Sequence, residues 1–577
     1  MDLDLIVKGG TVLDGTGAPG RTADVGIKDG RIVEVGAIGA SATTTIDADG
    51  ALVTPGFVDI HTHYDGQASW DSQLAPSALH GVTTVVMSNC GVGFAPVHPG
   101  DHDRLIELME GVEDIPGAAL HEGLAWDWES FPDYLDAIER RPHDIDVAAQ
   151  VPHGPVRLYV MGERGANREP ATPEEIAEMG RIAAEAVRAG ALGFTTSRTL
   201  NHRTSKGEPT PTLTAAREEL VGIATAVGAT GQGVLQLITD FPDFKTEFET
   251  LRQMARASGR PLSVSLTQVH GNTEHWRTIL DAITAANEEG LTMRAQVAAR
   301  GIGILLGLQA SINPLMRAPS YRPFATLAVA EQAHLLADPE LKRTILAEYG
   351  GSGPVKRRPM LDALDKLFVL GDPPDYEPDP ADSVEAMAAR AGRDAADLLY
   401  DLLLADEGRA LLYMPVFNYA DGNLDAVGEM LEHPYTIPGL GDGGAHVGTI
   451  CDGSFPTTMI AHWGRDRRRG PTFEMPWLVK RQARDTAHAV GLDDRGLLQP
   501  GYKADLNVID PDRLGMRAPR MAFDLPAGGK RLVQPGTGYV HTIVSGQPVY
   551  ADGVPTGALP GRLVRGAQTD GAQGQNQ

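Results

Sequence analysis

The sequence predicts an α/β fold: a TIM-like (β/α)8 barrel with a small β-sandwich domain built from both chain termini and a helical insertion between barrel strands 7 and 8. Short apolar segments alternate with helical patterns through the middle of the 577-residue chain, as in the βα units of a parallel sheet. Short strand patterns separated by Gly-containing turns occupy both ends. One ordinary core does not accommodate this length, so we expect one large domain and at least one small one.

Eight apolar segments are predicted to be the barrel strands, because eight parallel strands close a barrel. They cover residues 57–60, 83–87, 146–151, 192–195, 234–238, 262–266, 292–297 and 438–441. The helix before the fourth strand has the clearest signals, with Thr172 as N-cap, Pro173 at the first helical position and Glu175 at the capping-box position.

The domain boundaries follow from these strands. We assign 1–55 and 497–565 to the β-sandwich, 56–496 to the barrel, and 310–430 to the insertion, which is expected to cover part of the barrel mouth. The Gly- and Gln-rich residues 566–577 are predicted to be disordered.

Composition excludes several classes of protein. A formal charge of -26, with only a short basic run at 465–469, argues against binding nucleic acid. No stretch approaches the roughly 18 apolar residues of a membrane span. The first residues lack a signal peptide, so we expect a cytoplasmic protein, and two cysteines cannot form a disulfide framework. The partner we expect is a small-molecule substrate, and the sequence leaves open whether the protein forms a homo-oligomer.

His61 and His63 point to a metal site. They follow the apolar first barrel strand, and residues i and i+2 of a strand face the same side. Two imidazoles so placed can chelate a divalent ion at the open end of the barrel. The alternative is two histidines on a polar loop, each bonded to the backbone.

Two other residues follow barrel strands. Cys90 ends the second strand, where a thiolate could bind or bridge metal, although a cysteine in such a place is more often a small buried hydrophobe. Asp442 follows the eighth strand among glycines. An Asp beside Gly is ordinarily a turn residue, but its position after the final strand, in a barrel whose first strand ends in the His pair, favours a role at the metal.

With these motifs the chain resembles the amidohydrolase superfamily and, within it, the N-acyl-D-amino-acid deacylase (D-aminoacylase-like) group. The resemblance covers most of the chain and rests on residues 7–11, 55–65, 89–91, 190–196, Asp442 with Gly443, His446, and 495–506. It implies zinc bound by His61, His63, Cys90 and Asp442, with the cysteine in the place of the carboxylated lysine of other branches.

The chain departs from that group at the fifth and sixth strands. The group carries one zinc-binding histidine on each, whereas 234–240 and 262–268 contain none here. Asp240, Gln236 and Gln268 are oxygen donors that could partly replace imidazole, and His270 could swing in, although a solvated role is favoured for it. We therefore predict one tightly bound Zn²⁺, and two ions stay an alternative.

The predicted function is metal-dependent hydrolysis of a non-peptide amide bond, most simply deacylation of an N-acyl (D-)amino acid or a related N-acyl compound. Asp442 is the predicted general base, and His446 a donor beside the substrate. A substrate carboxylate would need a cation, for which the candidates are Arg198, Arg294 and Arg300. The alternatives are hydrolysis of a cyclic amide, a deamination, and a metal-poor binding protein without activity.

Overall fold

The computed structural model describes residues 2–357 and 359–568, and a barrel of parallel strands lies at its centre. The barrel strands are β1 (Phe57–Asp59), β2 (Val82–Met87), β3 (Asp146–Ala149, continued by Val151–Pro152), β4 (Gly193–Arg198), β5 (Val234–Thr239), β6 (Leu262–Leu266), β7 (Met293–Val297) and β8 (Thr436–Pro438). Strands β1 to β3 pair in parallel, and a second parallel run extends from Val151–Pro152 through β4 to β8. The two runs also meet beyond β8, where Thr62 bridges Gly443 and the Asp442 N–H donates to the His61 carbonyl at 2.9 Å.

The eighth strand differs from its prediction. It covers Thr436–Pro438 instead of 438–441, because Leu440 and Asp442 have φ values of 59° and 45°. These left-handed conformations cannot continue a β-ladder. The segment after β8 is therefore a tight turn that leads back to the end of β1.

The helix before β4 begins where the sequence signals it. The helix Pro173–Ala189 is capped by Thr172, whose hydroxyl accepts from the Glu175 N–H while Glu175 accepts from the Thr172 N–H, so the predicted capping box is confirmed. The other helices between β1 and β7 are Gln67–Trp70, His102–Glu113, Gly117–Gly123, Phe131–Glu139, His153–Met161, Glu163–Ala166, Arg217–Gly228, Phe244–Ser258 and His275–Glu288. After β8 follow Phe455–Thr457, the π-helical Thr458–Asp466, Met475–Lys480, the π-helical Arg481–Asp485, and Thr486–Ala489.

Strands from both ends of the chain share one sheet of nine strands. Its order is Val554–Pro555, Gln547–Ala551, Tyr539–Val544, Leu506–Ile509, Leu52–Pro55, Leu3–Val12, Arg21–Lys28 and Arg31–Gly36, with Ala42–Asp47 beside Leu3–Val12. The two ends meet where Pro55 opposes Leu506 in an antiparallel pair. Two short hairpins lie apart from it, Gly515–Met516 with Gly536–Thr537 and Arg520–Leu525 with Gly529–Val533. The assignment of the ends to a β-sandwich domain stays a prediction.

The segment between β7 and β8 has a small sheet and helices of its own. Strand Leu412–Phe417 pairs antiparallel with both Ile302–Leu306 and Phe368–Val369. The helices are Val329–Leu336, Pro339–Tyr349, Val384–Ala391, Ala395–Leu404 and Asp425–Glu432. The first four pack around a separate apolar cluster that includes Leu336, Tyr400 and Leu412, whereas Asp425–Glu432 packs against the barrel core.

The predicted disordered tail is partly ordered. The Gln568 N–H donates to the Gly491 carbonyl at 2.9 Å and the Gly566 N–H to the Gly190 carbonyl at 2.8 Å, so 566–568 are held against the barrel. The rest of the predicted tail lies outside the described residues. In the part of the chain that the structure covers, no helix has the length and apolar character needed to cross a membrane.

Candidate metal centre

A cavity of about 460 Å³ lies at the carboxyl ends of the barrel strands. His61, His63, Cys90, Asp442 and His446 all lie on its wall, so five of the predicted site residues meet there. Its volume is in the range of small-molecule sites. The ends of β5 and β6 complete the wall together with Ile302–Leu306 and Leu412–Phe417, two strands of the segment between β7 and β8 that we call the insertion strands.

The two histidines lie directly beyond β1 and are both about 1% exposed. The Nε2 atom of His61 is 3.3 Å from the Cys90 Sγ, and the ligand atoms of His61, His63 and Cys90 lie within 4.8 Å of one another. Among the described residues, these three form a group of His, Cys, Asp or Glu side chains at metal-ligand spacing. Nitrogen and sulfur donors at this spacing are typical zinc ligands.

The other ring nitrogen of each histidine has its own partner. His61 Nδ1 is 2.6 Å from the Gln296 Oε1, and the Gln296 Nε2 donates to the Ser263 hydroxyl at 3.0 Å, which orients the amide. His63 Nδ1 is 3.3 Å from the Glu113 Oε1. A proton on the His61 Nδ1 satisfies the Gln296 oxygen, whereas the His63 Nδ1 and the Glu113 Oε1 lie at ion-pair distance without hydrogen-bond geometry. With a proton on each Nδ1, both Nε2 atoms can bind an ion.

Burial and neighbouring carboxylates shift the pKa values of the two imidazoles in opposite directions. Burial lowers the pKa of His61 to about 4. Burial also lowers the pKa of His63, but the Glu113 charge and the hydrogen bond to Asp442 outweigh it and raise that pKa well above its usual value. In the metal-free protein a proton therefore competes with an ion at His63.

Cys90 is fixed by the turn that follows β2. Ser88 and Cys90 have φ values of 64° and 54°, and the buried Asp65 carboxylate accepts from both the N–H and the hydroxyl of Ser88. Gly91 follows with φ 68°, and a Cβ there would lie 2.8 Å from the Thr196 Cα. Burial raises the pKa of the Cys90 thiol to about 11, so a thiolate there requires a bound cation.

Asp442 faces both Nε2 atoms. Its Oδ1 is 3.4 Å from the His61 Nε2 and 3.6 Å from the His63 Nε2. Burial by itself would raise the pKa of Asp442, but the hydrogen bond from His63 and the charges of both imidazoles outweigh it and hold that pKa well below the usual range. The close approach needs the following glycine, because a Cβ on Gly443 would lie 2.3 Å from the Ser77 Oγ.

The cavity wall contains three functional groups that sequence reasoning missed: Glu113, His202 and His275. Glu113 is the last residue of the helix His102–Glu113 and does not directly follow a barrel strand in the sequence. Its Oε2 is 3.7 Å from the His446 Nε2. His202 lies in the loop after β4, where its Nδ1 is 2.9 Å from the Ser197 Oγ and burial lowers its pKa to about 3. Only the position of His202 after a predicted barrel strand was a usable signal.

The three predicted substrate arginines do not line the cavity. Arg198 forms an ion pair with Glu247 at 2.5 Å, and Arg300 is buried against Asp452 at 3.1 Å with its guanidinium over the Tyr376 ring. Arg294 lies near the start of β7, at the opposite end of the barrel from the site. Their positions do not support the predicted contact with a substrate carboxylate, because Arg198 and Arg300 are paired with acidic side chains and Arg294 lies at the other end of the barrel.

The fifth and sixth strands end without histidine, as the sequence indicates. Asp240 accepts from the Thr199 hydroxyl and the Leu200 N–H, and Gln268 bonds Asp421 and the Ala420 N–H. Gln236 accepts from the Cys90 N–H at 3.3 Å. These oxygen donors are occupied, and His270 is not part of the cavity wall.

The bond between Gln296 and His61 gives a first test. Replacement of Gln296 by leucine is expected to lower zinc affinity by about 10- to 100-fold, the usual effect of removing a group that orients a metal-binding histidine. Competition with a chelating dye measures it. The control is Gln253→Leu, whose amide bonds only Glu249 on a helix, and equal affinities in the two variants would contradict the assignment.

The protonation states of the donors give a second test. Zinc binding must displace protons from the Cys90 thiol and from His63, so affinity is expected to rise by about tenfold per pH unit for each proton released. Calorimetry between pH 6 and 8 in buffers of different ionisation enthalpy counts these protons. Cys90→Ser should release one proton fewer and bind zinc more weakly. Unchanged affinity and proton release would instead make Cys90 a buried structural residue.

The fold and the donors together define a class of protein: a barrel enzyme with a metal centre at the carboxyl ends of its strands. A sequence model of the amidohydrolase family matches residues 44–550, and the chain therefore belongs to the amidohydrolase family. A D-aminoacylase of Alcaligenes xylosoxydans xylosoxydans is 28% identical, with 97% of each chain covered. An N-acyl-D-glutamate deacylase of the same organism is 29% identical, with 98% of this chain and 96% of that protein covered.

A solved D-aminoacylase structure is similar over almost the whole chain. Its TM-score is 0.65 at 25% identity, with 98% of this chain and 100% of that chain covered. That enzyme is described as having a binuclear metal centre with one-metal activation and second-metal attenuation. The likeness agrees with the predicted barrel and its additional domain.

Proposed function

We propose that the protein is a metal-dependent amidohydrolase that cleaves a non-peptide carbon–nitrogen bond in a small molecule, by deacylation of an N-acyl amino acid or a related N-acyl compound. One observation carries the proposal: the ligand atoms of His61, His63 and Cys90 lie within 4.8 Å of one another, and the Asp442 Oδ1 lies 3.4 Å and 3.6 Å from the two Nε2 atoms. The deacylase relatives support the reaction class.

The donor set fits one zinc ion. His61, His63 and Cys90 would hold it, with Asp442 beside them as a further ligand or as a partner of its water. Three protein ligands with an open position are the usual arrangement of a catalytic zinc site. A bound ion supplies Lewis-acid chemistry that polarises the acyl carbonyl and makes water a nucleophile at neutral pH.

Asp442 carries the proton in this proposal. Its pKa lies well below the usual range, so the side chain is ionised at neutral pH, as a proton acceptor must be. In this role it takes a proton from the attacking water and returns it to the leaving nitrogen. That return is essential because an unprotonated amine is a poor leaving group. His446 lies on the same wall and can donate to the developing oxyanion, an interaction worth about 3 kcal/mol when well placed.

Elemental analysis of the purified protein, together with a panel of N-acyl amino acids, N-acyl amines, cyclic amides and deaminase substrates, tests the proposal. We expect about one zinc per chain and release of free amine from an N-acyl compound. Turnover of a cyclic amide or a deaminase substrate alone would replace the reaction by another of the same family. Absence of both zinc and turnover would favour a binding protein.

A further inference from the structure

The charge of the cavity wall restricts the substrate. Among the described residues that form the wall, three are carboxylates, Glu113, Asp240 and Asp442, and none is lysine or arginine. An N-acyl amino acid brings a carboxylate of its own into this cavity. Burying such a charge without a cationic partner is costly, and nearby carboxylates repel it.

The histidines and the lysine near the wall have contacts of their own. Burial lowers the pKa of His202 to about 3, which keeps that ring neutral, and the His446 Nε2 faces the Glu113 Oε2 at 3.7 Å. His275 makes edge contacts with the rings of Phe241 and Phe244. Lys530 lies outside the wall, where its ammonium donates to the carbonyls of Gln309 and Ala310.

The rest of the wall is apolar. Half-buried aliphatic and aromatic side chains from the barrel and from the insertion strands face the same cavity: Ile238, Val269, Ile302, Ile304, Ile312, Val416 and Phe417. Ile302 and Ile304 are two residues apart on one strand and therefore share a face. Apolar side chains that stay partly exposed inside a cavity of this size indicate an apolar ligand.

We propose that the substrate is an uncharged, largely apolar N-acyl compound in which the carboxylate of an amino acid is absent or masked. This inference rests on the proposed function, because it assumes that the site cleaves amides. The apolar wall contacts the acyl group and the amine portion, while the polar donors gather at the scissile bond. The insertion strands thus select against charged substrates.

Matched pairs of substrates test the inference on the zinc-loaded protein. Each pair shares one acyl group and one apolar side chain, in both enantiomers, and differs only in a free carboxylate against a primary carboxamide. The carboxamide is expected to have a kcat/KM at least about 100-fold higher, because the free acid leaves a buried charge unpaired. An equal or higher kcat/KM for the free acid would overturn the inference and leave the proposed function intact. Turnover of neither would overturn the proposed function, and the inference with it.

Binding provides a readout that does not depend on turnover. The same pairs are titrated calorimetrically into zinc-loaded Asp442→Asn protein. The carboxamides should bind at least about tenfold more tightly than the free acids. Equal binding would contradict the inference.

A cation added to the wall should reverse the preference. Ile304→Arg places a guanidinium among the apolar side chains, and Ile304→Met is the uncharged control of similar volume. The ratio of kcat/KM for carboxamide over free acid should fall by at least about tenfold in the arginine variant and stay unchanged in the methionine variant. Val416→Lys repeats the test from the partner strand if Ile304→Arg does not fold. An unchanged ratio in a folded cationic variant would overturn the inference.

Discussion

Replacement of His61 or His63 by alanine is expected to remove the zinc and the activity together. Each imidazole supplies one of the three clustered donor atoms. Loss of one ligand leaves too few for a four-coordinate site. Since even substitutions outside the ligand set cost about 10- to 100-fold, we expect kcat/KM to fall by at least about 100-fold and zinc content to fall well below one per chain.

His270→Ala is the matched control for these two variants. His270 follows β6 but lies outside the cavity wall, so zinc content and kcat/KM should match the unsubstituted protein. Full metal content and full rate in His61→Ala or His63→Ala would remove the central claim. Loss of an ion in His270→Ala would restore the alternative of a second metal near β6.

Replacement of Asp442 by asparagine is expected to lower kcat by about 10²- to 10⁴-fold, the usual contribution of a positioned proton carrier. The amide keeps the size of the side chain but cannot accept the proton. Zinc content should fall less than in the histidine variants, because the donors of His61, His63 and Cys90 remain. Asp240→Asn is the control, since Asp240 lies on the same wall but bonds only the loop after β4.

The pH dependence separates Asp442 from the metal ligands. The pKa of Asp442 lies well below its usual range, so its carboxylate stays ionised as pH falls through the mildly acidic range. The pKa of His63 is raised, so protons displace the ion there first. The acidic loss of activity should therefore follow zinc content measured at each pH. Activity that falls while zinc content stays constant would instead make Asp442 the titrating group, and an unchanged kcat in Asp442→Asn would exclude it as the base.

The barrel and half of the metal centre could be predicted from local patterns. A strand places His61 and His63 on one side because its side chains alternate, and that rule needs no knowledge of the rest of the chain. Cys90 and Asp442 were found because each follows a predicted strand of a closed barrel. The capping box at Thr172 was equally local.

The partners of these ligands depend on contacts between distant parts of the chain. Glu113 lies 50 residues beyond His63 on a helix, and Gln296 lies 235 residues beyond His61, so no spacing rule could connect them. The partners of the predicted substrate arginines depend on such contacts too: Arg198 ends β4, but its guanidinium pairs with Glu247 from the next helix.

The sequence by itself determined the strand pattern, the donor types and the absence of histidine on the fifth and sixth strands. Only the tertiary structure decided which charges reach the cavity. A side chain on a βα loop can turn inward or outward, and the choice depends on partners from other loops and from the insertion. Carboxylates therefore line the cavity and the predicted arginines do not, because Arg198 and Arg300, which lie at or after the end of a strand, pair with acidic side chains outside the cavity wall.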